Sequence, residues 1–173
     1  IGENVMDERV TLYSDPADPA LLGQPFDMEG LPLSRIVWVE RGVLRNLSYS
    51  RYWAQQQSKP PTGPPFAGGL VLAGGTKSTE ELIAGCDRGI LVTHFFYINS
   101  LDPRTVLLTG LTRDGTFLIE KGKITQAVKN FRWNESPLFM LNKIEEVGRA
   151  QRVGAGTVMP SLRVKDFNFA SLS

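Results

Sequence analysis

The sequence predicts an α+β fold that is mostly antiparallel β. Its strands form a closed or two-layer sheet with two or three helices on the flank. Three observations lead there. Two hairpin signatures, Arg41-Gly42 and Lys121-Gly122, each sit between apolar runs. Short apolar stretches recur along the chain, at 36–39, 90–92, 106–108 and 117–119. Clear helix starts are few, at Ser78 and at Ser136.

The elements follow in order. Residues 10–14 read as a brief strand, stopped by Asp15-Pro16 and Asp18-Pro19. Residues 35–40 and 43–49 form the first hairpin around Arg41-Gly42. A short helix spans 51–57. Residues 58–69 (SKPPTGPPFAGG) are too rich in Pro and Gly for regular structure. They form either a border to a peptide groove or a plain connection stiffened by proline. Ser78 and Glu81 have capping-box spacing and open a helix over 80–86, which stops near Asp87-Arg88-Gly89. Asp102-Pro103-Arg104 is a turn, and Arg113-Asp114-Gly115 reads as a tight turn that begins the second hairpin. That hairpin pairs 117–120 with 123–128 across Lys121-Gly122. Both hairpins place Glu, a base and Gly in succession, which is either a weak internal repeat or the same turn chemistry used twice. Ser136-Pro137 opens a helix whose apolar face is Leu138, Leu141, Ile144 and Val147, ended by Gly148. Near the C-terminus Leu162 and Val164 fix one face of a strand while Phe167 and Phe169 fix the other, the phase slip of a bulge.

The four apolar runs do not alternate, so both of their faces need cover, from a second layer here or from a neighbour. The chain has 173 residues, 42% apolar and 21% charged, which suits one domain. No apolar run reaches the ~20 residues of a bilayer span, and no secretory leader is visible. The chain opens at Ile1 rather than Met, the look of a piece of a longer protein. A single cysteine, Cys86, forbids an intrachain disulfide and fits a reducing compartment. Net charge is +1, yet residues 1–40 balance to −6 and the remainder to +7. Such unlike parts suit packing against each other or against a partner. The bases are scattered singly, which argues against a nucleic-acid footprint.

Several blocks in this order resemble one family. They are RVTLYSDPADP (9–19), FDMEGLPLSRIVWVERGVL (26–44), GGTKSTEELIAGCDRGILVTHFFYI (74–98), VLLTGLTRDGTFLIEKGKITQAVKNFRWNESPL (106–138) and MPSLRVKDFNF (159–169). The set is similar to the C-terminal domain of the TldD/PmbA family, whose members are subunits of cytoplasmic zinc peptidases acting on modified or unfolded peptides. The resemblance implies a further N-terminal portion, a homodimer or a heterodimer with a TldD-like subunit, a peptide substrate, and no membrane or nucleic acid.

The family's catalytic subunit resembles this chain except where chemistry is concerned. It carries a His-Glu-x-x-x-His helix with a Cys as third zinc ligand. This chain has one histidine, His94, and its Gly-rich segment 153–160 has no Cys. A catalytic zinc needs about three protein ligands. The expectation is therefore no catalytic residue and no metal in this chain, with zinc in a partner or in the upstream portion. The role implied is that of a non-catalytic, TldE/PmbA-like subunit helping to form a peptide-holding cavity. Two other readings stay open: a catalytic peptidase whose zinc helix lies upstream, and an interaction domain with no peptide role. Four residues are candidates for substrate contact. His94 is either a structural histidine or faces a peptide groove, sharing a strand face with Phe96. Arg113 and Asp114 either serve a turn or, as the resemblance implies, lie near the peptide channel. Glu135 either serves its helix start or is a buried functional acid beside Trp133. An Arg113–Glu135 clamp on a peptide requires both side chains on one concave surface.

Overall fold

The computed structural model of the chain describes residues 1–154 and 156–170, so Ala155 of the Gly-rich segment lies outside them. Contacts divide the chain into two compact units. The first is Ile1–Thr76 with Arg149–Ser161, the second Lys77–Gly148 with Leu162–Ser173.

The first unit holds β1 (Leu12–Ser14), β2 (Ile36–Glu40), β3 (Val43–Leu44), α1 (Arg51–Gln56) and β4 (Leu70–Leu72). The first hairpin forms as the Arg41-Gly42 signature predicts. Both residues take positive φ, 48° and 79°, the pair a right-twisted two-residue turn needs. Gly42 is obligatory for a second reason, since a Cβ there would lie 2.2 Å from the Met6 carbonyl. Trp38, Val39, Leu70, Val71 and Leu72 are buried. Trp38 Nε1 donates to Ser14 Oγ at 2.7 Å, and Ser14 Oγ donates to the Pro65 carbonyl at 2.7 Å. That relay satisfies the buried indole and pins the irregular proline-rich loop to β1.

Strands β9 (Ile144–Arg152) and β10 (Thr157–Val164) have residues in both units. With them one sheet runs β3-β2-β1-β4-β10-β9, antiparallel at β1/β2 and β1/β4 and parallel at β4/β10. Neither this sheet nor the second one closes on itself.

The second unit starts with α2 (Thr79–Ala84). Both bonds of its capping box form, Glu81 N to Ser78 Oγ at 3.2 Å and Ser78 N to Glu81 Oε2 at 2.6 Å. A long hairpin follows, β5 (Arg88–Asp102) and β6 (Leu107–Glu120), turned at the expected Asp102-Pro103-Arg104. Next come β7 (Lys123–Ala127), β8 (Arg132–Glu135), α3 (Pro137–Met140) and, at the end, β11 (Phe169–Ala170). The sheet order is β11-β8-β6-β5, with β7 also on β6. Lys121 and Gly122 turn with φ of 50° and 74°, so the two hairpins share turn chemistry.

Three expectations need correction. The helix predicted from Ser136 to Gly148 ends at Met140, and Ile144 already belongs to β9. Ser136 makes no cap, because its hydroxyl donates to the Thr105 carbonyl at 2.7 Å. Asn142 then closes the short turn onto the Leu138 carbonyl at 2.9 Å. Asp114-Gly115 is not a turn but lies inside β6, with φ of 59° and 143°, where pairing with β5 shifts register between Val92 and His94. A bulge uses the same positive-φ residues as a turn. The aromatic phase slip near the C-terminus is a strand end rather than a bulge. β10 stops at Val164, Asp166 takes φ of 46°, and Phe169 pairs with Trp133 in the other sheet.

Candidate functional site

Cross-strand register sorts the second unit's sheet into two faces. Phe95 pairs with Thr112, Gly110 with Trp133, and Leu108 with Glu135. Directly opposed residues share a face and alternate ones do likewise, so these residues lie together. Aromatic rings fill that face. Phe95 meets Trp133 at 5.0 Å and Phe167 at 5.5 Å, and Phe167 meets Phe169 at 4.9 Å. Gly110 has no side chain because a Cβ would lie 2.6 Å from the Trp133 ring. This face is apolar packing, and Thr112 within it is fully buried.

The other face carries the charges. His94 pairs with Arg113, and Phe96 with Leu111, which on its far side pairs with Arg132. His94 Nδ1 lies 2.6 Å from Asp114 Oδ2. The Arg113 guanidinium sits over the Phe96 ring, 4.1 Å from its centroid, and its Nε lies 3.6 Å from Asp114 Oδ1. The His94 and Phe96 rings meet edge to face at 6.2 Å. Arg132 donates to Thr109 Oγ1 at 3.3 Å. His94, Arg113 and Asp114 are each about half exposed. The bulge is what assembles them: positive φ at Asp114 turns its carboxylate toward His94 on the neighbouring strand.

Three of the four candidate residues thus come together, and Glu135 does not join them. It belongs to the aromatic face and lies opposite Leu108, five residues before Arg113 on β6. Its carboxylate accepts from Ser136 N at 3.0 Å, Lys143 Nζ at 3.2 Å and Asn168 N at 3.3 Å. Those bonds tie β8, α3 and the segment before β11 together, a structural role. The Arg113–Glu135 clamp is therefore dropped. Arg132 was missed. Its signal was the alternation Phe131, Trp133, Glu135 against Arg132, Asn134, which sends the arginine to the face opposite the aromatics.

Strand β5 forms an edge. Among the described residues no strand pairs with its outer side. No Asp, Glu, Lys or Arg occurs from Gly89 to Leu101. Tyr97 is 70% exposed, and Ile98 and Leu101 are each 52% exposed. The apolar run Ile90–Val92 is half-buried, while residues 93–101 beyond it stand in solvent. Uncharged edges of this length invite a further strand.

Among the described residues no three His, Cys, Asp or Glu side chains group closely enough to hold a metal. His94 has one carboxylate beside it, and Cys86 sits just past α2, its Sγ close to Gly89. This donor set does not fit a zinc site, and no step is routed through one. No helix among the described residues is long and apolar enough to cross a membrane.

Comparison with known proteins places this geometry. Residues 1–171 match the family model described as the PmbA/TldA metallopeptidase C-terminal domain. A metalloprotease of Methanothermobacter thermautotrophicus is 26% identical over 169 residues, 90% of this chain and 36% of that protein. Solved structures are similar too. A candidate modulator of DNA gyrase from Thermotoga maritima shares 29% identity with a TM-score of 0.86, over 98% of this chain and 41% of that one. TldE from Thermococcus kodakarensis shares 25% identity with a TM-score of 0.83, over 99% of this chain and 42% of that one. The chain spans little more than a third of the length of the curated relatives it matches.

Proposed function

The chain belongs to the PmbA/TldA metallopeptidase family as its C-terminal domain, and from that premise we propose that it holds an extended peptide for a metallopeptidase assembly. It acts as the non-catalytic, TldE/PmbA-like part. Zinc, where the assembly uses it, is held by a partner subunit or by another portion of the protein. The observation that carries this reading is the free edge of β5, uncharged from Gly89 to Leu101. An extended peptide adds there as a further antiparallel or parallel strand. Main-chain hydrogen bonds supply affinity, so many sequences are accepted. Tyr97, Ile98 and Leu101 offer apolar contact alongside. The cluster of His94, Arg113 and Asp114 borders the same strand.

The test is a pair of fluorescent twelve-residue peptides of one sequence, one of them N-methylated at alternate residues. Strand addition loses the donated amides on methylation, each worth about 0.5–1.5 kcal/mol net. Binding of the plain peptide with loss of the methylated one supports the reading. Equal binding of both, in either methylation phase, contradicts it.

A further inference from the structure

We propose that the charged face of β5 and β6 selects acidic peptides, with Arg113 as the residue that determines specificity. This rests on the reading above, that a peptide strand docks on the β5 edge. Arg113 belongs to β6, yet its guanidinium reaches across onto Phe96 of β5. It is thereby displaced toward the free edge. A peptide strand added beside β5 presents alternate side chains on this face, next to His94 and Phe96. A carboxylate at such a position meets the guanidinium.

The surrounding charges favour that partner. Asp114 is the one carboxylate in the cluster, and His94 holds one of its oxygens at 2.6 Å. Its contact with Arg113 is longer, 3.6 Å, and both side chains are about half exposed. Arg132 lies diagonally from Arg113 across Leu111, on the same face. Its guanidinium contacts Thr109 and no carboxylate among the described residues. Diagonal neighbours are about 7–8 Å apart, within a Debye length at physiological salt, about 8 Å. Arg132 therefore adds to the positive potential where the peptide side chain arrives. A neutral or basic side chain at that place meets the same potential without gain or with repulsion. A single-stranded nucleic acid fits less well, since it lacks the main-chain groups that an open strand edge pairs with.

The experiment uses the 173-residue chain and three acetylated, amidated twelve-residue peptides. Each alternates Thr with Glu, Gln or Lys, so neither terminus supplies a charge. Fluorescence anisotropy gives Kd for the chain and for Arg113→Gln and Arg132→Gln, all checked for an unchanged thermal midpoint. The expected order is Glu tightest, by roughly tenfold over Gln, and Lys weakest. Arg113→Gln removes the preference, bringing the Glu-peptide and Gln-peptide Kd values together. Arg132→Gln reduces it by a smaller factor. Equal binding of the Glu and Gln peptides overturns the selectivity and leaves the peptide-holding reading standing. No binding by any peptide overturns both. Tighter binding of twelve-residue oligothymidine than of the Glu peptide, lost in Arg113→Gln, gives the face to nucleic acid and overturns the proposal. So does a dimer that Arg113→Gln dissociates, which gives the face to a second copy.

Discussion

Glu135→Ala should destabilise the protein by about 3 kcal/mol, the sum of the bonds it abandons. The Glu135 side chain is only 7% exposed and holds three donors. Two are backbone amides, Ser136 and Asn168. The buried Ser136 amide stripped of its acceptor costs about 1–3 kcal/mol, and the exposed Asn168 amide loses a bond worth about 0.5–1.5 kcal/mol net, about 3 kcal/mol together. Lys143 adds little, because it is 35% exposed and keeps its bond to the Asp166 carbonyl at 3.1 Å. For a chain of this size 1 kcal/mol shifts the midpoint by about 2–4 °C, so the expected fall is about 6–12 °C. Circular-dichroism melts of the variant, with Arg113→Ala alongside, make the contrast. Arg113 is exposed and packs against one ring, so its loss should stay within about 0.5 kcal/mol. A Glu135→Ala midpoint equal to the parent's would refute the structural assignment and reopen a functional role for that acid.

Other outcomes are equally direct. Gly122→Val should lower stability by more than 1 kcal/mol, because φ is 74° and a Cβ would lie 2.5 Å from the Ala84 carbonyl; a urea midpoint within error of the parent's would contradict it. The Asp102 carboxyl is held below its usual value, first by the Arg104 amide and then by the Thr105 hydroxyl. A carboxyl with a lowered folded value contributes stability above the unfolded value, lost as pH falls through the folded one. Asp102→Asn should therefore lie below the parent in stability at neutral pH and converge with it under acid conditions below about pH 4. Elemental analysis of the purified chain should find no stoichiometric zinc, given one His and one Cys; one tightly held zinc per chain would place a site where none is expected.

What the sequence made legible is what local chemistry decides. Arg41-Gly42 and Lys121-Gly122 specify their turns without reference to anything distant, because only φ above zero closes them. The capping box at Ser78 is equally local. Asp114-Gly115 shows the limit. The pair signals positive φ, but a turn and a bulge both ask for it, and only pairing with β5 decides between them. The segment after Ser136 fails for a related reason. Its apolar spacing suits a helix, while sheet pairing claims Ile144 onward. The site was half legible. His94 and Phe96 sharing a face follows from alternation, and so does the separate face of Arg132. That Glu135 lies opposite Leu108 rather than beside Arg113 depends on a register set across 27 positions of chain, which no local pattern encodes. The open edge of β5 is a statement about what does not pair with it, which no pattern within the strand encodes.

Amide hydrogen exchange along β5, with and without a bound twelve-residue peptide, tests the central claim most directly. The β5 amides that are not bonded to β6 face the open edge and exchange fast in the free chain. The account predicts that peptide slows those amides selectively, while the amides already bonded to β6 change little. Protection confined to the loops of the first unit, or binding with no change along β5, would contradict it.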